Sequence, residues 1–132
     1  PTRIAADDPD RTASLVLSGG QVAPPRRLMR LQNAIIGMLP ARLAAPAGMT
    51  KPQMLTVLRE ITEMDLGPDL GRITAPTLVL VGEKDRPNQP AARQLAAGIR
   101  GALLQIVPGA GHEWNAAMPE EFARRLTAFL PA

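Results

Sequence analysis

The chain has 132 residues, enough for one small domain or part of a larger one, and its 45% apolar and 20% charged composition rules out wholesale disorder. Having no Cys, it can hold neither a disulfide framework nor a thiolate metal or redox site. Fifteen basic residues against twelve acidic ones leave a net +3, and with two Phe, one Trp and no Tyr to stack on bases, no nucleic-acid partner is expected.

No apolar run approaches the about 20 residues of a membrane span. No basic segment leads into an apolar run as in a secretory signal. A cytoplasmic protein with no membrane partner is therefore expected. Because the first residue is Pro1 and not Met, a processed or truncated start is also expected.

In chain order, Thr2 to Asp8 reads as the tail of a helix. Ala13 to Leu17 (ASLVL) reads as a strand, and so do Thr77 to Val81 (TLVLV) and Ala102 to Val107 (ALLQIV). None alternates strictly with polar residues, which suits parallel strands covered on both faces. Between the first two lie helices over 25–39 and 51–64. The first sets Leu28, Leu31, Ile35 and Met38 on one stripe, and the second Met54, Val57, Leu58, Ile61 and Met64. Thr50 is the expected N-cap of the second, with Gln53 as its capping-box partner. A helix over 90–99 opens with Pro90. Another, over 119–130, opens with Pro119, Glu120 and Glu121 and carries a buried stripe of Phe122, Leu126, Phe129 and Leu130.

Alternation of strands and helices predicts an α/β layer around three parallel strands. So thin a sheet leaves an edge open to a partner chain or a second copy. Residues 21–72 hold no strand pattern, and are expected to form a helical lid above the C-terminal edge of a core made of 1–20 and 73–132.

Three loops carry candidate chemistry. Leu17-Ser18-Gly19-Gly20-Gln21 spells the signature string of ATP-binding-cassette ATPases. The chain has no GxxxxGK[ST] phosphate loop, however, and the string leaves a strand and runs into Pro24-Pro25, so a turn is the expectation. Asp85 follows the second strand in a loop, where it serves either a turn or a site. His112, the only His, follows the third strand within Pro108-Gly109-Ala110-Gly111. A neutral imidazole there suits proton transfer. One His among scattered carboxylates lacks metal-ligand spacing, so neither a metal nor another cofactor is expected. Asp85 and His112 are 27 residues apart, one strand-loop-helix-strand unit. With neighbouring strands about 4.8 Å apart, the two side chains are expected to meet.

At this point a resemblance enters. Ile73 to Asp85 (ITAPTLVLVGEKD) resembles the segment that bears the acid in α/β-hydrolases. Val107 to His112 (VPGAGH), with Pro119-Glu120-Glu121-Phe122 beyond, resembles their His segment and closing helix. Asp8 to Leu17 is similar to the strand after their nucleophile helix. The resemblance implies the C-terminal portion of an α/β-hydrolase sheet with a short helical lid. It also implies Asp85 and His112 as acid and base of a Ser-His-Asp triad that acts on an ester or related bond of a small apolar substrate. The family's G-x-S-x-G elbow is absent: the only serines are Ser14 and Ser18, and neither has that setting, so the nucleophile is expected upstream of Pro1. Met38 and Met54 in the lid are expected to line the substrate pocket. Trp114 either borders the site or fills the core. The alternatives are a non-catalytic fragment that pairs through its open sheet edge and a small binding domain that uses the lid groove.

Overall fold

The computed structural model describes residues 1–44 and 48–131, so residues 45–47 of the expected insertion lie outside the described residues. Three parallel strands, β1 (Leu15–Ser18), β2 (Thr77–Gly82) and β3 (Leu103–Val107), form one sheet in that order. All six residues of β2 are buried. A central parallel strand has both faces covered, so its sequence carries no polar alternation. The outer strands differ. In β1, Leu15 and Leu17 are buried while Ser18 is exposed, and in β3 only Val107 is buried while Leu103 and Ile106 are exposed. Cover on both faces, expected of all three runs, is a property of β2 alone, because the other two are edges.

Register explains which residues form the core. Val16 and Leu103 flank Leu78, Ser18 and Gln105 flank Leu80, and Val107 flanks Gly82. Residues in one such row share a face. On this face Leu78, Leu80 and Val107 join Ala110 and Trp114, with Val16, Met118, Phe122 and Phe129 packed around them. The cover comes from two helices, α7 (Trp114–Ala117) and α8 (Pro119–Phe129). Trp114 meets Phe122 edge-on at 5.0 Å between ring centroids. The stripe predicted for α8 is only partly buried and its last member, Leu130, is exposed, since a helix over an edge strand has less sheet to cover. Val79 and Val81 point the other way. Helix α6 (Gln89–Gly98) packs on β2 and β3 with Ala92 and Leu95 buried.

Two further α-helices, α1 (Thr2–Asp7) and α5 (Gly67–Leu70), pack on each other, and a 3-10 turn over Pro9–Arg11 follows α1. Arg72 pairs with Asp7 and Asp69, and Arg3 with Asp69. Neither α5 nor α7 was predicted. Each is four residues long, below the length at which apolar periodicity can be read.

The described chain divides into two compact units, 1–22 with 66–132, and 23–65. The chain leaves the sheet unit after Val22 and re-enters at Leu66, whose N–H donates to the Val22 carbonyl at 3.0 Å. The second unit holds α2 (Arg26–Met38), α3 (Ala41–Ala44) and α4 (Lys51–Glu63). Thr50 and Gln53 form the predicted capping box. Helices α2 and α4 meet along a polar seam: Arg30 pairs with Glu63 at 2.9 Å, and the Asn33 amide donates to Thr62 Oγ1 at 2.9 Å. Lys51 Nζ donates to the carbonyls of Gly37 and Leu39, which ties off the end of α2. Leu28, Leu31, Ile35 and Met38 stay exposed, and of the α4 stripe only Leu58 is buried.

Among the described residues, no helix is long and apolar enough to cross a membrane.

Candidate active site

The C-terminal ends of all three strands contribute to one constellation. After β1 the backbone turns at Gly19, φ +63°, in the left-handed region that favours glycine. Its N–H still donates to the Leu80 carbonyl, and a Cβ there would stand 3.3 Å from Cε1 of the His112 ring. The string LSGGQ is thus a strand end followed by a turn, and no helix begins until Arg26.

After β2 and β3 the two loops are stitched together. Glu83 N–H donates to the Val107 carbonyl and Lys84 N–H to that of Ala110, each at 2.9 Å. Gly109 N–H donates to the Glu83 carboxylate at 2.8 Å. Gly82 makes this approach feasible, because a Cβ on it would lie 2.4 Å from the carbonyl oxygens of both Ala110 and Gly111. The side chains of Asp85 and His112 are therefore set by backbone contacts between their loops.

Those two side chains meet as the sequence predicts. His112 Nδ1 lies 2.8 Å from Asp85 Oδ2. The carboxylate is buried, with its side chain 5% exposed, whereas the imidazole is 61% exposed. An ionised carboxylate only accepts hydrogen bonds, so the Nδ1 proton belongs in this contact and Nε2 is left with its lone pair. Among the described residues Nε2 has no hydrogen-bond partner. A buried acceptor behind the ring and an open nitrogen in front of it form the arrangement of a proton acceptor held in one tautomer.

The second Asp85 oxygen is also engaged. Asn88 Nδ2 donates to Oδ1 at 2.8 Å and stands 3.0 Å from His112 Nδ1. The Asn88 carbonyl oxygen in turn accepts from Gln21 Nε2. Asn88 was not singled out in the sequence, and Gln21 entered only as the last letter of the LSGGQ string. Asn88 had a readable signal, an amide three residues beyond Asp in a turn. Gln21 had none, since its partner is 67 residues away.

The other predicted residues lie elsewhere. Trp114 is buried in the core of the sheet unit, where its indole N–H donates to Ser18 Oγ at 3.0 Å. Met38 is 78% exposed at the end of α2, and Met54 is half-buried in α4. A cavity of about 500 Å³ at the start of α8, lined by Met118, Glu121 and Arg124 among others, shares no residue with the Asp85–His112 pair. Among the described residues, no group of three His, Cys, Asp or Glu could hold a metal ion.

Comparison with known proteins places the fold in a family. A profile described as "Alpha/beta hydrolase family" matches residues 2–125. Over 84 residues, 64% of this chain and 31% of the relative, the chain is 36% identical to the 2-succinyl-6-hydroxy-2,4-cyclohexadiene-1-carboxylate synthase of Serratia proteamaculans. Over 70 residues, 50% of this chain and 23% of the relative, it is 43% identical to the 2-hydroxy-6-oxononadienedioate/2-hydroxy-6-oxononatrienedioate hydrolase of Paraburkholderia xenovorans. Among solved structures, a hydrolase from Pseudomonas aeruginosa superposes with a TM-score of 0.82 at 23% identity, over 99% of this chain and 60% of that one. The enol-lactonase of Burkholderia xenovorans superposes with a TM-score of 0.73 at 21% identity, over 97% and 60%. The chain thus spans a third or less of these curated relatives and about 60% of these structures. With the profile matching nearly its whole length, the chain belongs to the alpha/beta hydrolase family.

Proposed function

We propose that this chain supplies the acid and the base of a hydrolase triad, Asp85 and His112, for cleavage of an ester or related bond in a small apolar substrate. The observation that carries this reading is the 2.8 Å contact between a buried carboxylate and the Nδ1 of an exposed imidazole, at the ends of neighbouring strands. The sequence has no G-x-S-x-G, so the reading assigns the nucleophilic Ser to the part of the family's length that this chain does not span. The Ser hydroxyl would give its proton to His112 Nε2 as its oxygen bonds to the substrate carbonyl carbon. Asp85 would stabilise the imidazolium, and the proton would then pass to the leaving group. Water would repeat the sequence on the acyl-enzyme and restore the Ser.

The helical unit, residues 23–65, is proposed as the lid, with Met38 and Met54 as pocket residues. Its support is the exposed apolar stripe of α2. Trp114 is assigned an indirect part, as the core ring under the His112 loop. The curated relative at 43% identity, a 2-hydroxy-6-oxononadienedioate hydrolase, widens the substrate panel to 2-hydroxy-6-oxo dienoates.

The test is turnover of p-nitrophenyl esters and 2-hydroxy-6-oxononadienedioate by the longer polypeptide that includes the nucleophile segment. His112→Ala should lower kcat by about 10³-fold or more. The 132 residues alone should show no turnover above background. Unchanged kcat in the His112→Ala variant would refute the reading.

A further inference from the structure

Asp85 Oδ2 can serve His112 only while the carboxylate holds one rotation about its Cβ–Cγ bond. The bond to His112 does not by itself fix that rotation, because it engages only one of the two oxygens and the ring is largely exposed. The second oxygen can, and it is held by a residue outside the proposed relay. Asn88 Nδ2 donates to Oδ1 at 2.8 Å from three residues along the same turn, where Asn88 N–H donates to the Asp85 carbonyl at 3.1 Å. The orientation of this amide is itself determined. Gln21 Nε2, on the loop that leaves β1, donates to its oxygen, and an amide flipped end for end would face that donor with its own nitrogen and Asp85 with its oxygen. Donation therefore runs from Gln21 to Asn88 to Asp85 Oδ1 on one side and from His112 Nδ1 to Asp85 Oδ2 on the other, so two arms of hydrogen bonds, one of them starting at the end of β1, converge on the carboxylate as their common acceptor.

We infer that Asn88 is a positioning residue, held by Gln21, that fixes the Asp85 carboxylate so that its Oδ2 receives the His112 Nδ1 proton. The inference deepens the reading of Asp85 and His112 as a relay and rests on it for its effect on turnover. Asn88 Nδ2 is also 3.0 Å from Nδ1, so the same amide could instead donate to that nitrogen and compete with the carboxylate. Two features favour the positioning role. The carboxylate contact is shorter and charge-assisted, and a ring whose Nδ1 accepts from Asn88 would turn a lone pair toward an anion 2.8 Å away.

The test uses the fact that His112 is the only imidazole in the sequence, so its ring signals need no assignment by elimination. The hydrogen-bonded Nδ1 proton of the ¹⁵N-labelled chain is followed by NMR in wild type, Asn88→Leu and Gln21→Ala. Circular dichroism checks that each variant is folded. Asn88→Leu keeps the volume and removes the donor; Gln21→Ala, at an exposed position, leaves Asn88 in place and provides a milder second variant. The expected result is faster exchange of the Nδ1 proton with water and an upfield shift in Asn88→Leu, with the same direction and a smaller size in Gln21→Ala. In the longer polypeptide kcat should fall about tenfold in Asn88→Leu with KM unchanged, as for loss of one hydrogen bond to a charged group. An unchanged Nδ1 proton in both variants would overturn the inference. So would slower exchange in Asn88→Leu, which would mean that the amide competes with the carboxylate. A loosened proton in a polypeptide that hydrolyses nothing would uphold the positioning and refute the relay. An unchanged proton, in a polypeptide whose turnover is abolished by His112→Ala, would do the reverse.

Discussion

The two units handle similar apolar patterns in opposite ways. In the sheet unit β2 buries every residue, and Leu78 and Leu80 are fully inaccessible. In the helical unit α2 has an equally regular apolar stripe and buries none of it; α2 and α4 are joined by Arg30–Glu63 and Asn33–Thr62 instead. Periodicity thus specifies that a segment is a helix and which side is apolar, but not what that side packs against. The sheet unit's own residues cover its sheet, whereas the apolar stripe of α2 stays exposed and polar pairs cross between α2 and α4.

Four changes would break or sharpen this contrast. The largest effect belongs to Gly82→Ala in the sheet unit. A Cβ 2.4 Å from two backbone oxygens cannot be absorbed by a flexible side chain, so the 108–111 loop must move. We expect a loss of several kcal/mol, on the order of the most damaging single substitutions, measured by denaturant unfolding. Next comes a matched pair. Leu80→Ala should cost about 2–5 kcal/mol, whereas Leu31→Ala, on the exposed α2 stripe, should stay within about 0.5 kcal/mol. Equal costs would mean that the α2 stripe is covered in solution. Thr50→Ala removes one half of the capping box of α4 and should destabilise the helical unit by about 1 kcal/mol, seen as loss of helical ellipticity at a lower temperature.

The smallest effect is electrostatic and occurs once in each unit. The hydrogen bond from Arg124 holds the Glu121 carboxyl below its usual range, and that from Arg30 does the same for Glu63. A carboxyl whose pKa is depressed by folding stabilises the native state above its unfolded pKa, and that stabilisation is lost as pH falls through the folded one. Glu121→Gln and Glu63→Gln should therefore be slightly less stable than wild type at neutral pH. The gap should close on acidification below the ordinary carboxylate range, as followed by thermal melts across pH. Glu63 is exposed and Glu121 partly so, and their Arg partners Arg30 and Arg124 are exposed, so salt should reduce the gap.

Much of the sheet unit was legible in the sequence because its signals are local. TLVLVG between turn residues reads as a buried strand, and GEKD and PGAGH mark the loops that follow β2 and β3. The meeting of Asp85 with His112 follows from the strand spacing. Less legible was anything fixed by distant partners. The bond from Gln21 to Asn88 spans 67 residues, and no composition signal links them. Val16 and Ile106 look like their neighbours in sequence, and only their position on edge strands leaves them less buried than β2. The helices of residues 23–65 could be placed from period and capping, while the fate of their apolar faces could not, because burial depends on what lies opposite.

The most direct test of the relay is a double-mutant cycle on kcat in the longer polypeptide, with Asp85→Asn and His112→Ala made singly and together. If the two residues act as one device, the double variant should be no slower than His112→Ala alone, because the carboxylate has no imidazole left to orient. Losses that multiply, each substitution exacting its full factor in the absence of the other residue, would contradict the account.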